Sequence, residues 1–454
     1  MKKIIASVGM VALSAASMQA QYAPGLTPLE TAKPWSLSAS LRGFYDDNYL
    51  TLPKSFPSAT GTGISHPIAS WGTEISPSVA VNHAAENTLA TGSYVYDMRW
   101  YENRSDLDQS HQLNGHLEHG FSERYNLKVN DSFVVAQEPT VIDPSIISEP
   151  LRVEGNNVRN TGQLDFTDSL TRNLDLHFGY GNTVYAYQQT ARSVIGYGLN
   201  TPGTGAYIPI ASRSALLDRM EQLATLDLRW KATPDTTGVL GYQFGHTDYT
   251  APEPIIFPSP PYNTTSPTGV NTGYNSNIRN EDSHFVFVGA DQSFTPDLNG
   301  SIRVGGEYLD YYNFHTSRLS PYVDASITDQ YQPGCSAQLG VKHVHNSTDV
   351  VGLQGTTPVL DEETTAIYIS DTHKLTDRLT LSLMGQAQLS TFVGGGSGLD
   401  GKEDQFFILQ VAFAYHFNPW FSTEAGYDYS RLKSDLSERS YTRDFMYIGL
   451  RATY

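Results

Sequence analysis

Met446-Tyr-Ile-Gly-Leu-Arg-Ala-Thr-Tyr454 is the stretch on which the fold turns. Met446, Ile448, Leu450, Ala452 and Tyr454 alternate with Tyr447, Gly449, Arg451 and Thr453, so an extended chain here has one apolar face and one mixed face. Reading backwards, the period recurs. Phe407, Leu409, Val411, Phe413, Tyr415 and Phe417 share a face, with Gln410, Ala412, Ala414 and His416 between them. After Asn418-Pro419, Phe421, Thr423, Ala425, Tyr427 and Tyr429 oppose Ser422, Glu424, Asp428 and Ser430. Leu379, Leu381, Leu383, Ala387 and Leu389 alternate with Thr380, Ser382, Gln386 and Gln388, Ile75, Val79 and Val81 with Glu74, Ser76, Ser78 and Asn82, and Leu37, Ala39 and Leu41 with Ser36, Ser38, Ser40 and Arg42. A long succession of such strands, apolar on one side and polar on the other, suits a closed barrel with lipid outside and water within.

Connection lengths support the same topology. Short turns fall near 85–87, 122–124, 171–173, 233–235, 295–297, 332–334, 376–377 and 418–419. Longer segments lie between them, around 46–72, 138–157, 186–215, 250–281, 346–362, 392–404 and 431–442, with shorter ones near 102–108 and 313–320. Transmembrane barrels keep short turns on the periplasmic side and long loops outside. The predicted fold is therefore all-β: a transmembrane antiparallel up-and-down barrel of about eighteen strands, sixteen to eighteen being the expected range. An even count returns the C-terminus to the periplasm. There the alternation ending on Tyr454 resembles the signal read by the barrel-assembly machinery, an expected partner together with outer-membrane lipid.

The N-terminus predicts export. Lys2 and Lys3 precede an apolar run from Ile4 to Leu13 and small residues ending at Ala20. We read 1–20 as a signal peptide, 21–34 as a short periplasmic segment and 35–454 as the barrel. No later apolar run approaches the roughly 18 residues a membrane helix needs. Because strand pattern begins at Trp35, no plug domain is expected. The formal net charge of −18 argues against nucleic acid as a partner.

Trp35, Trp71, Trp100, Trp230 and Trp420 all fall at predicted strand ends, where indole prefers the membrane boundary. Asp131 breaks the pattern, standing on the lipid face defined by Leu127, Val129, Phe133 and Val135, and a bulge turning it inward is the expected remedy. Segments 284–294, 321–331 and 363–373 are weakly patterned.

No catalytic constellation emerges, and none of the residues is read as catalytic. Gly395-Gly-Ser-Gly-Leu399 lacks the last glycine of a nucleophile elbow. His343 and His345 alternate on one strand without the carboxylate spacing of a zinc site, and read as a strand-end pair near the outer rim. Asp400, Glu403 and Asp404 match no calcium loop. Cys335, a lone thiol read as a passenger in a turn, makes neither an internal disulfide nor a CxxC site. No cofactor or metal is expected.

The functional content lies on the polar face. Arg42, Arg99, Lys128, Arg219, Arg229, Arg303, Lys342 and Arg451 mix there with Glu74, Asp97, Glu118, Asp165, Asp175, Glu221, Asp227, Glu307, Glu424 and Asp428. Such a wall holds water and orients polar solutes, and most of its charges are expected to brace one another in pairs. A barrel this wide is not filled by wall side chains alone. Outer loops are expected to narrow it, above all those after Asp46 and after Thr250.

The chain resembles the β-barrel porin 2 family of bacterial outer-membrane proteins. The resemblance is carried by Leu37-Ser-Ala-Ser-Leu-Arg-Gly-Phe-Tyr-Asp-Asp-Asn48, by the run from Tyr94 through Tyr101 and His111 to Gln137-Glu-Pro139, and by units such as Lys374-Leu-Thr-Asp-Arg-Leu-Thr-Leu381. It implies residence in the cell outer membrane and, weakly, a link to exopolysaccharide production. The expected function is a porin-like passive channel for small polar solutes or saccharides. The alternative is an outer-membrane component of exopolysaccharide export or assembly. A monomer and a trimer fit the pattern equally.

Overall fold

The period-two stretches become strands whose two faces meet different surroundings. The computed structural model describes residues 33–54, 56–57, 64–103, 107–136, 157–188, 199–200, 207–208, 211–251, 253–256, 273–352, 357–436 and 439–454. The predicted leader and nearly all of segment 21–34 lie outside the described residues. Eighteen strands form one sheet. They are β1 (Trp35–Asp46), β2 (Ser70–Ala85), β3 (Thr88–Tyr101), β4 (Leu107–Gly120), β5 (Tyr125–Ala136), β6 (Asn157–Thr171), β7 (Leu174–Tyr187), β8 (Arg219–Lys231) and β9 (Thr236–Tyr249). The ring continues with β10 (Glu281–Ser293), β11 (Leu298–Tyr311), β12 (Thr316–Gln332), β13 (Cys335–Asn346), β14 (Val359–Lys374), β15 (Leu379–Gly394), β16 (Glu403–Asn418), β17 (Phe421–Ser434) and β18 (Tyr441–Thr453). Each strand pairs antiparallel with its neighbours in chain order, and β1 pairs with β18 as well as with β2. Closure satisfies backbone groups that lipid cannot.

The faces divide as the alternation predicts. Leu41, Ile75, Val286, Val288, Ile448 and Leu450 are exposed on the outer wall, whereas Ser38, Ser40, Arg42, Glu74 and Ser76 are buried inside it. The short turns and long connections alternate as expected, so the barrel has a short-turn rim and a loop rim. Trp35 and Trp420 flank Tyr454 at the short-turn rim, with ring centroids 5.8 and 6.1 Å away. Tyr454 N–H donates to Leu37 O at 2.7 Å, joining the chain end to the first strand.

Following partner to partner, one row runs Trp35, Val81, Gly92, Gly115, Asp131, Gly162, Asn182, Gln222, His246, Asp282, Asp310. It starts at the short-turn end of β1 and finishes one residue from the loop end of β11, so the strands tilt, as closure demands. The row also locates Asp131 within the apolar band. The expected bulge is absent: the ladders on both sides of β5 run without a shift. Asp131 instead faces outward between Gly115 and Gly162 and accepts from Asn160 Nδ2 at 3.3 Å.

The weakly patterned segments are also strands, within β10, β12 and β14. Their alternation is blurred because Phe285, Phe287, Tyr322 and Tyr368 are buried on the inner face, leaving apolar residues on both sides. Tyr368 lies so close across Gly340 that a Cβ there would come 2.2 Å from its ring. Cys335 is the first residue of β13, not part of a turn, and is buried beside Lys374 N–H, 3.2 Å from its sulfur.

Candidate pore and its constriction

Every charged residue assigned to the polar face from the sequence sits on the inner parity of its strand, as the burial patterns of β1, β2 and β17 illustrate. Antiparallel register then brings opposite charges on neighbouring strands side by side. Arg42 on β1 donates from Nη1 to Glu74 Oε1 on β2 at 2.6 Å and from Nε to Glu424 on β17. Arg99 on β3 reaches the other oxygen of Glu74 at 2.7 Å and Asp97 at 3.4 Å. Four strands, β17, β1, β2 and β3, are thereby laced together across β18. Beneath Arg42 lies the Tyr447 ring, 4.8 Å from the guanidinium carbon. That ring lies flat because Gly426 offers no side chain; a Cβ there would approach it to 2.3 Å.

A second group braces the wall of β6, β7 and β8 nearer the short turns. His177 stands 3.0 Å from Asp165 and 3.4 Å from Asp227, Arg229 lies 3.1 Å from Asp227, and Lys231 lies 2.7 Å from Asp175. Lys128 approaches Glu118 at 3.8 Å, Arg219 pairs with Glu221 at 2.6 Å, and Arg451 donates to Ser38 Oγ at 3.1 Å. Arg303 pairs with Asp291 at 2.7 Å, and Asp291 was not among the sequence-derived residues. Glu307 accepts from His345 N–H at 3.2 Å. Lys342 on β13 and Asp428 on β17 lie on the same inner face. Among the described residues no group of His, Cys, Asp and Glu is arranged to hold a metal.

At the loop rim the connections turn inward and lock. The segment after Asp46 tucks Tyr49 against Phe44, Tyr101 and Phe445. The helix Arg213–Leu217 and the strand Pro254–Ile256, from the connections after β7 and β9, pack Leu216, Leu217, Ile255 and Ile256 onto Tyr187, with Val351 against them. Arg279, 1% exposed, lies 4.2 Å above the Tyr249 ring and donates to Thr348 O at 2.8 Å and to Leu216 O. The connection after Thr250, expected to narrow the lumen, has its described ends packed into this cluster through Ile255, Ile256 and Arg279; residues 257–272 lie outside the described residues.

The centre of the lock is Asp349, in the connection from β13 to β14, which sequence reasoning did not single out. Arg439, between β17 and β18, grips it bidentately at 2.6 and 2.9 Å and also reaches Asp404 at 2.6 Å. Arg213, between β7 and β8, approaches the same carboxylate at 3.5 Å. Burial alone would raise the Asp349 carboxyl, but Arg439 and Arg213 hold it below the ordinary carboxylate range. Bidentate charge-assisted pairs are strong and directional. The two arginines belong to connections about half a turn of the ring apart, so a bridge of side chains spans the mouth. Val350 adds an apolar anchor with Val359, Phe392, Leu399 and Leu436. The one local signal was the adjacent pair Val350-Val351 in a largely polar connection.

Residues 264–454 match the family model described as Putative beta-barrel porin 2, where the sequence resemblance pointed. No curated protein is significantly similar to the chain. Among solved structures, the outer membrane protein OpdK from Pseudomonas aeruginosa is similar at 8% identity and a TM-score of 0.42, covering 93% of this chain and 100% of that one. OccAB4 of Acinetobacter baumannii is similar at 10% identity and a TM-score of 0.39, covering 94% and 100%. These likenesses are too slight to transfer a substrate. The porin family match and the closed eighteen-stranded wall make the chain a porin-like β-barrel of the cell outer membrane.

Proposed function

We propose that the protein is a passive channel for small polar solutes, narrowed at its outer mouth by interlocked loops and braced along its wall by paired charges. The observation that carries this reading is Asp349 held by Arg213 and Arg439 from opposite sides of the ring. A bridged mouth leaves room around it for small hydrated molecules while opposing a polymer, and walls of both charge signs orient solutes without strong charge selection. The family match supports a channel rather than an enzyme. Nothing in the comparisons supports the exopolysaccharide alternative. In this reading the loop rim faces outward, the short turns face the periplasm, and Tyr454 presents the last strand to the barrel-assembly machinery.

The test is reconstitution. Purified barrel in planar bilayers should show discrete conductance steps, and liposomes containing it should swell in monosaccharide but not in long oligosaccharide. Absence of conductance in a folded, heat-modifiable preparation, or free passage of the polymer, would overturn the reading.

A further inference from the structure

The ladder of the wall is incomplete at one place. β12 pairs with β11 from Thr316 to Asp329, but with β13 only from Val323 downward, where Val323 faces His343. Residues 316–322 carry no rung to β13, while β13 itself stays paired to β14 as far as Asn346 and Glu362. Across the break, inner-face groups of β11 and β12 meet groups of opposite parity on β13 and β14. Ser320 Oγ donates to Glu363 Oε1 at 3.0 Å, and His343 Nε2 lies 3.1 Å from the same oxygen. His345 N–H donates to Glu307 Oε2 at 3.2 Å, and its Nδ1 lies 2.6 Å from Asp361, which also accepts from Tyr311. His343 and Glu363 share the parity of exposed Leu339 and Ile367, yet Glu363 touches the inner face of β12. The upper ends of β13 and β14 therefore tuck inside β12, and the wall laps over itself. Outside the lap stands Leu319, 79% exposed.

We propose that this lap joint is a side portal between the lumen and the outer leaflet, admitting a single-chain amphiphile with an uncharged, hydroxyl-rich head. Lipid solvates no backbone group, so a continuous ladder is costly to part. Here the ladder already ends at Val323, and side-chain hydrogen bonds hold the lap, each a modest net contribution because other polar partners can replace it. Parting the lap exchanges those bonds for bonds to the head group and breaks no further rungs. Ser320, Tyr311, Glu307 and Glu363 offer hydroxyl and carboxylate partners to sugar-like hydroxyls, whereas three carboxylates oppose an anionic head. Leu319 and Val323 receive the chain. The portal is additional to the axial path.

The experiment uses the unmodified barrel in lipid vesicles with an alkyl glucoside carrying a diazirine in its chain. Adducts should concentrate at residues 319–323 and 343–345 and be competed by plain alkyl glucoside but not by an alkyl sulfate. A second arm joins Ser320→Cys and Glu363→Cys with a bifunctional thiosulfonate in a Cys335→Ser background. The reference for this arm is the unbridged double-cysteine barrel, which keeps Tyr311 and Glu307: bridging should abolish the concentrated adducts that barrel still forms, reductant should return them to its own level, and axial conductance should persist. Adducts spread evenly round the apolar wall, equal competition by the sulfate, or labelling unchanged by the bridge would overturn the proposal. The mapping arm needs no variant, and its outcome is independent of conductance.

Discussion

Replacing Arg439 by methionine should unlock the mouth. The substitution keeps an unbranched apolar stem but leaves two carboxylates without their main partner, Asp349 and Asp404, whose side chains are only 7% and 6% exposed. Removing one partner of a buried pair costs about 3–5 kcal/mol because the other charge stays desolvated. Arg213 still faces Asp349 from 3.5 Å and is 28% exposed, so it compensates in part. The lower end applies, about 3 kcal/mol against the bridged arrangement. At about 1.4 kcal/mol per factor of ten, the ratio of bridged to open mouths falls roughly a hundredfold. Asp349→Leu should do less, because Arg439 then keeps Asp404 at 2.6 Å. Single-channel recording reads both variants as larger or longer openings, with heat-modifiable mobility as the control for folding. A folded Arg439→Met barrel that conducts and gates like the parent would refute the reasoning, as would a larger effect from Asp349→Leu.

Four further outcomes are expected. Burial pushes the Asp218 carboxyl up to about 6, against the Tyr187 N–H and Ser214 bonds that lower it. The folded connection thus holds this proton more tightly than the unfolded chain; packing around 211–218 should tighten as pH falls from 7 through 6 toward 4 and loosen as it rises, and Asp218→Asn should flatten the dependence of hydrogen exchange there. Asp131→Leu should stabilise the barrel in lipid, by less than the about 2–4 kcal/mol that a lipid-facing Arg or Lys costs at the midplane, and denaturant midpoints in vesicles check the sign. Deleting Tyr454 should lower the amount of folded barrel in outer-membrane fractions, an expectation that unchanged heat-modifiable band intensity would contradict. Cys335, 2% exposed at the short-turn rim, should resist an impermeant thiol reagent applied to whole cells; labelling there would reverse the assigned orientation.

How much of this was legible depended on whether the signal was local. The alternation at Met446–Tyr454 and Phe407–Phe417, with connections alternating short and long, contained the barrel, the strand count and the inner parity of Arg42, Glu74, Arg99 and Glu424. A strand's side-chain period of two assigns each residue a face without reference to any other strand. The same period misled only where a residue broke it: at Asp131, which simply faces outward between two glycines, and in β10, β12 and β14, where inward aromatics lie against the wall.

The tertiary structure alone decided which charges meet. Asp349 and Arg213 are 136 positions apart in the chain, and Asp349 and Arg439 are 90 apart. No periodicity links residues in separate connections; their meeting follows from the closure of the ring and from how far each loop folds inward. The lap between β12 and β13 belongs to the same class. The alternation of β12 continues through Leu319 and Val323 as though its partner were still there, because a strand's sequence records its faces and not whether its edge is paired. The sequence by itself therefore determined the wall, its two faces and its membrane setting. The bridge across the mouth and the break in the ladder were decided only by the folded chain, through distances between residues that no local pattern connects.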